Sequence, residues 1–245
     1  MIIGRLARWC GTAALAASFL SGGVAVAQTG PTTPSEPAAV VLYDQTTHQS
    51  VSGWTASSNF ESSLSTFDSQ AADDFVISGE IWTITKVTVS GLYDGPSGTT
   101  YVNSLLLQIY GDAGTSPDKP GSSRLLNVTI PAADINGLST GLFVITLPSS
   151  VKLPPGHYWL SAQANKSYGS DNRQWAWRES TVQAFSESVW QQPGNGYGKN
   201  CLTWKPRVTV CHEPATNSQG KDLVFKLEGT KVTVASSLYL PVTYR

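Results

Sequence analysis

Apolar and polar positions alternate along much of this chain, in short runs separated by Gly, Pro, Asn and Asp. Alternation with period two marks strands that bury one face. The pattern predicts a first strand over 40–43 and further strands over 73–77, 81–91, 104–110, 124–130, 141–147, 157–164, 174–179 and 223–228. Turn residues divide them, at Asp94-Gly95-Pro96, 111–121, Asn136-Gly137, Pro154-Pro155-Gly156 and 194–198. No segment holds an apolar face at helical spacing for three turns, and only 131–135 reads as a short helical turn. Residues 45–70 are polar and Ser-rich, with Trp54, Phe60 and Phe67 as isolated anchors. They read as a long ordered loop with room for a short strand.

Phase tells which side chains face inward. In 223–228, Leu223, Phe225 and Leu227 share a face, and Val224, Lys226 and Glu228 point away. In 157–164, Tyr158, Leu160 and Ala162 go in, while His157, Trp159, Ser161 and Gln163 go out. The strand from Ile81 changes phase: Trp82 and Ile84 alternate, then Val87 and Val89 alternate one residue later. All four reach the core only if Thr85-Lys86 carries an extra residue, a β-bulge. Strands with one wet face, joined by turns without helices between them, predict an all-β fold. The expected architecture is a single domain, a two-layer antiparallel β-sandwich of jelly-roll-like type, over 40–230. A C-terminal strand or tail follows over 231–245.

The N-terminus sets the compartment. Arg5 and Arg8, an apolar stretch over 6–20 and Ala25-Val26-Ala27 before Gln28 have the layout of a secretory signal peptide over 1–27. The stretch is diluted by Ala, Gly and Ser and ends at a cleavage site, so it does not read as a membrane anchor. Of 245 residues, 218 remain after the first 27. Residues 28–39 (QTGPTTPSEPAA) form a Pro- and Thr-rich leader too polar to bury, expected to be disordered. Without Arg5 and Arg8, the 16 Lys and Arg fall to 14 against 17 Asp and Glu, a charge of about −3. That balance argues against nucleic acid as a partner and against a polybasic membrane patch. Cys201 and Cys211 remain after cleavage, and in an oxidising compartment they are expected to form one disulfide.

Candidate chemistry is sparse. No G-x-S-x-G elbow is present, and His48, His157 and His212 are scattered without metal spacing. Asp73 and Asp74 are adjacent on a strand, so their side chains diverge and cannot flank one glycosidic bond. The plain reading is a strand entry in which one Asp accepts backbone N–H bonds. A structural calcium site is the sharper alternative, using Asp73, Asp74, Asp112 and Asp118, although no D-x-D-x-D-G ladder exists. No other cofactor is implied. The aromatic set is the strongest hint of binding. Trp175 and Trp177 lie two apart on one strand face and would form a stacking platform if exposed, or core if buried. Trp159, and Tyr197 and Trp204 near the cysteine loop together with Asn195, complete the candidate set. Asn127-Val-Thr129 and Asn165-Lys-Ser167 match the short N-glycosylation pattern.

Several motifs act together as a signature. They are Ala72-Asp-Asp-Phe75, Trp82-x-Ile84-x-x-Val87, Gly91-x-Tyr93, Ile109-Tyr110-x-Asp112 and Gly156-x-Tyr158-Trp159. Trp175-x-Trp177, Pro193-Gly-Asn-Gly-Tyr-Gly198, Cys201-x-x-Trp204, Cys211 and Asp222-Leu-x-Phe-x-Leu-x-Gly229 complete it. The chain resembles, over about 41–229, a poorly characterised secreted bacterial β-sandwich domain, jelly-roll-like. That domain is found alone, beside surface-sorting signals or appended to extracellular enzymes. The resemblance implies no catalytic residues. Residues 231–245 carry no sorting motif and no run long enough to span a bilayer. They read as an edge strand, or as an added strand for another subunit's sheet that would give self-association. The expectation is a secreted, non-catalytic surface, matrix or interaction protein. The alternative is a carbohydrate-binding module with an exposed Trp/Tyr platform, its partner an extracellular glycan or surface protein. A secreted hydrolase would need Asp73, Asp74, His157 or His212 to converge in one pocket.

Overall fold

The structure is a computed structural model, and it describes residues 38–96, 98, 101–213 and 220–234. The expected signal peptide, the leader up to 37 and the tail from 235 lie outside the described residues. In chain order the strands are β1 (Val40–Asp44), β2 (Gln49–Ala56), β3 (Ser58–Asn59), β4 (Gln70–Ile77) and β5 (Glu80–Asp94). Next come β6 (Ser104–Asp112), β7 (Pro120–Pro131), β8 (Ile135–Asn136), β9 (Leu142–Leu153) and β10 (Gly156–Asn165). The last are β11 (Gln174–Ser180), β12 (Val189–Gln191), β13 (Lys205–Pro206), β14 (Asp222–Leu223) and β15 (Phe225–Thr233). Short 3-10 turns stand at Thr46–His48, Ser62–Phe67, Ala132–Asp134 and Tyr168–Ser170.

The strands make two sheets. One runs β1-β15-β5-β11-β14, with β9 also on β5, β8 on β9 and β2 on β11. The other runs β13-β12-β4-β10-β6-β7, with β3 on β10. Every pairing is antiparallel except β3 with β10. This is the expected all-β sandwich. The bulge also falls where the phase change puts it. Ile84 faces Val151 and Gly229, Lys86 faces Thr146 and Glu228, and Thr85 has no counterpart in either ladder. The extra residue returns Val87 and Val89 to the inner face, where they are buried with Trp82 and Ile84.

The core lies between the sheets. Leu105, Leu107 and Ile109 of β6 and Leu160 and Ala162 of β10 meet Val87, Val89, Ile145, Leu223, Phe225 and Leu227 of the facing sheet. Phe75 stacks on Trp82 with ring centroids 6.1 Å apart, and Phe143 stacks on Trp175 at 5.1 Å. Cys201 and Cys211 form the expected disulfide, with Sγ atoms 2.10 Å and Cα atoms 5.8 Å apart. Inside its loop, the Arg207 guanidinium is fully buried. Its Nη1 donates to Glu179 Oε1 at 2.6 Å and to Glu213 O, Nε to Ser188 Oγ and Nη2 to Gly220 O. One side chain thus ties the cysteine loop to β11 and to the segment before β12.

Three local readings change. Residues 49–56 are a full strand, β2, paired with β11. Its buried positions are Ser50, Gly53, Thr55 and Ala56, while Val51 is exposed, so polarity there does not mark the inner face. Trp159 does point to the outer face of its sheet, but it is fully buried: it stands with Ala72, Tyr110 and Val189 in a second cluster, with Trp204 packed beside it. Val224 is buried as well, because it sits at the break between β14 and β15. Its N–H donates to Arg178 O, and its carbonyl accepts from Ser90 N and Trp177 Nε1. At the other end, β15 continues past residue 230, with Val232 opposite Ile81 and Thr233 opposite Glu80.

Two substitutions test this packing by urea denaturation. Trp177→Ala is expected to lower stability by about 3–5 kcal/mol, the range for emptying a buried large aromatic site. Arg207→Ala is expected to cost about 3–5 kcal/mol, because it leaves the Glu179 carboxylate buried without its guanidinium.

Candidate functional site

A recess of about 360 Å³ opens between three loops and is lined by Phe60, Leu64, Phe67, Tyr168, Gln174 and Tyr197. The Ser62–Phe67 turn supplies Leu64 and Phe67, with Phe60 just before it. The Tyr168–Ser170 turn is pinned opposite by Glu61, whose carboxylate accepts Tyr168 N at 2.8 Å and Gly169 N at 2.9 Å. Backbone N–H groups, its own and those of Gly169 and Tyr168, hold Glu61 below the usual carboxylate range. Asp68 Oδ1 accepts Phe60 N at 2.8 Å and fixes the entry to the turn. The Phe60 and Tyr168 rings meet edge-on at 5.6 Å.

The third wall is the Gly-rich loop 193–198. Thr66 O accepts Gly196 N and Gln192 Nε2, and Gln192 Oε1 accepts Tyr197 N. A Cβ on Gly194 would fall 2.5 Å from Thr66 Cα, and one on Gly196 would fall 2.7 Å from the Phe67 ring. Those glycines let the loop lie flat on the Ser62–Phe67 turn, which sets Tyr197 edge-on to Phe67 at 5.4 Å. The Tyr197 hydroxyl donates to Gln174 Oε1 at 3.2 Å. Burial first, then nearby acids led by Glu213, push its phenol up to about 12, so it keeps its proton at neutral pH. None of the six lining residues is charged.

Of the five aromatic residues named from sequence, only Tyr197 lies in this recess. Trp175 and Trp177 are not a surface platform: both are fully buried between the sheets. Trp175 Nε1 donates to Gly141 O at 3.0 Å and Trp177 Nε1 to Val224 O at 2.8 Å, so each ring is locked as core. Trp159 is buried with Nε1 on Asp112 Oδ1 at 2.8 Å, and Trp204 is half-buried against Tyr110. Phe60, Leu64, Phe67, Tyr168 and Gln174 were missed. Phe60 and Phe67 did leave a signal, two large rings isolated in a Ser-rich stretch.

The acids divide across β4 as their adjacency requires. Asp74 points outward, and its Oδ2 accepts Ser186 N at 2.9 Å and lies 2.6 Å from His157 Nε2. His157 Nδ1 stands 3.8 Å from Asp112 Oδ1. The Ser186 hydroxyl is spent on Asp118 Oδ2 at 2.6 Å, so it is not set as a nucleophile on His157. Asp73 points inward, where its Oδ2 accepts Leu223 N at 2.7 Å. The four acids named for calcium therefore do not make one cage. Among the described residues, no three His, Cys, Asp or Glu side chains group to hold a metal ion.

Asp73 meets Asp222 in a dry pocket with Tyr43 and Gln45. Gln45 donates its amide to Asp73 Oδ2 and Leu223 O and accepts from the Tyr43 hydroxyl. Both aspartates are fully buried, and Oδ1 of each has no partner. Burial, then the charge of Asp222, raises Asp73 well above the usual carboxylate range. Burial, with Asp74 adding to it, pushes Asp222 up to about 7.

No protein-family model matches the chain, and neither a curated protein nor a solved structure matches it. Among the described residues, no helix is long and apolar enough to cross a membrane.

Raised carboxyls make stability fall with rising pH. The folded form binds protons more tightly than the unfolded chain, so stability is full below about pH 4 for these groups and declines as pH rises through their raised pKa values, about 7 for Asp222. Asp73→Asn is expected to flatten that decline between about pH 5 and 7.5 in urea titrations, and to leave the variant more stable than the parent at the higher value.

Proposed function

We propose that this chain is a non-catalytic extracellular protein of the surface or matrix that works by binding, and that it takes its ligand in the recess beside Tyr197. The observation carrying this reading is an open cavity of about 360 Å³ walled by Phe60, Phe67, Tyr168 and Tyr197, with no charged lining residue. A site of that size with a few polar groups at one end suits one small ring or one unit of a longer chain. The walls stand on loops that the two sheets hold in place: Glu61 clamps one, and the close fit of Gly194 and Gly196 clamps another. The formed disulfide and the signal-like first 27 residues support export. Among the described residues the hydroxyl beside the Asp74–His157 pair, that of Ser186, is bonded to Asp118, so hydrolysis finds less support.

A carbohydrate is the ligand that the polar end of the recess favours. The Tyr197 hydroxyl and the Gln174 amide adjoin the rings. Rings paired with such groups stack on the C–H face of a sugar while bonding its hydroxyls. This moves the binding role from the buried tryptophans to phenylalanine and tyrosine on loops.

Glycan arrays followed by calorimetric titration with neutral mono- and disaccharides test the site. Phe67→Ala and Tyr168→Ala are each expected to weaken binding about tenfold or more, with melting temperatures close to the parent's, while Trp204→Ala leaves affinity unchanged. Phe67 is 36% exposed, so its truncation leaves the core intact. Affinity unmoved by both recess substitutions overturns the site. Empty arrays, with a protein ligand lost on Phe67→Ala, overturn the sugar and keep the binding role.

A further inference from the structure

Residues 181–188 cross from β11 to β12 as a strap bonded to Asp74 of β4 and Asp222 of β14. The middle of the strap has few apolar anchors: Val182 is 46% and Phe185 55% exposed, and Phe185 sits in the left-handed region with φ +65°. Its middle is held by carboxyl groups instead. Asp222 Oδ2 accepts Ala184 N, Asp74 Oδ2 accepts Ser186 N, and Asp118 Oδ2 accepts the Ser186 hydroxyl. Asp74 and Asp222 are fully buried beneath it, as is Asp73 beside them, and each of the three keeps one oxygen with no partner.

We propose that this strap is a pH-released latch, docked when the acids beneath it are protonated and lifted as they ionise. Ionising Asp222 or Asp74 under the docked strap places charge where water cannot reach it, and lifting the strap lets water in. Asp222 is therefore pushed up to about 7 by burial first and Asp74 next, against the opposing help of Ala184 N–H and Arg207. Burial raises Asp74 too, countered by Ser186 N–H and His157.

The other groups that face this cluster do not cancel the effect. Asp73 and Asp74 come from β4 and Tyr43 and Asp44 from β1, with His48 in the turn after β1. Asp112 at the end of β6, Asp118 in the next loop and His157 of β10 lie on the Asp74 side. Arg207 is committed to Glu179 of β11, and Lys221 stands 3.9 Å from Glu187 of the strap itself. The docked form thus binds the proton more tightly than the lifted form. Opening should grow up to tenfold per pH unit between about 4 and 7 and then level off.

Lifting has a structural consequence. Val182 and Ala184 form one wall of a cleft of about 180 Å³, whose other walls are Tyr43, Asp44, Gln45, His48 and Ser180. Removing that wall opens the cleft onto Asp222, the carboxylate that had accepted Ala184 N.

Hydrogen exchange read by mass spectrometry on the parent chain and on Asp222→Asn decides the matter, with rates corrected for intrinsic exchange at about pH 5 and 7.5. In the parent, the opening constant of peptides covering 181–188 is expected to rise about tenfold or more, with a smaller change in β10. In Asp222→Asn the rise should fall below about threefold. A strap that does not respond to pH, a β10 that responds equally, or an Asn variant with the parent's slope overturns the latch. If the variant does not fold, the carboxyl carbon resonance of Asp222 in the parent decides. A midpoint near 7 that tracks strap opening upholds the latch, and a midpoint near 4 overturns it.

Discussion

A carboxyl group that water cannot reach joins the two layers of this protein. Asp73 sits on β4 in one sheet, and its Oδ2 accepts the N–H of Leu223, 150 residues away on β14 in the other. Both residues are fully buried. A buried carboxyl tolerates such a place only with donors around it, and here the donors are the Leu223 backbone and the Gln45 amide. Asp74, next along the chain, has to point the other way. Its Oδ2 meets His157 and Ser186 on the outer face. Two adjacent acids thus fasten β4 on both sides, and the loops that reach them inherit their positions.

The same economy of apolar contact recurs away from the core. β4 is buried on both faces, and the outer face of its sheet carries a small apolar cluster around Trp159 with a network of polar bonds beside it. Gln70 donates to Gln108 and Ser161, Ser161 donates to Ala71 O, and Gln191 donates to Gln70. Arg207 plays the corresponding part in the cysteine loop. Residues that composition would place on a wet surface are therefore inside, bonded to one another across neighbouring strands. The recess beside Tyr197 depends on this, since its walls are loops held by Glu61, Gln192 and two glycines.

The strands were legible because their physics is local. Period-two alternation named most of the long strands of both sheets, and a single change of phase in 81–91 located the bulge at Thr85. The β2 strand was not legible, because it buries Ser50, Gly53 and Thr55 and exposes Val51. Its place follows from pairing with β11 and not from its own polarity. The direction of Trp159 was right and its exposure was not. Alternation says which way a side chain points, whereas whether anything covers it is decided by residues distant in sequence.

The sequence by itself determined an all-β chain, the inward set of each regular strand, the divergence of Asp73 from Asp74 and the pairing of Cys201 with Cys211, since each depends on a chain period or on a short closure. The tertiary structure alone decided which rings are open to solvent, that Phe60, Phe67, Tyr168 and Tyr197 share one recess, and that Asp73 and Asp222 share one dry pocket. Those outcomes depend on loops far apart in the chain meeting over a common surface, and no spacing along the sequence encodes the meeting.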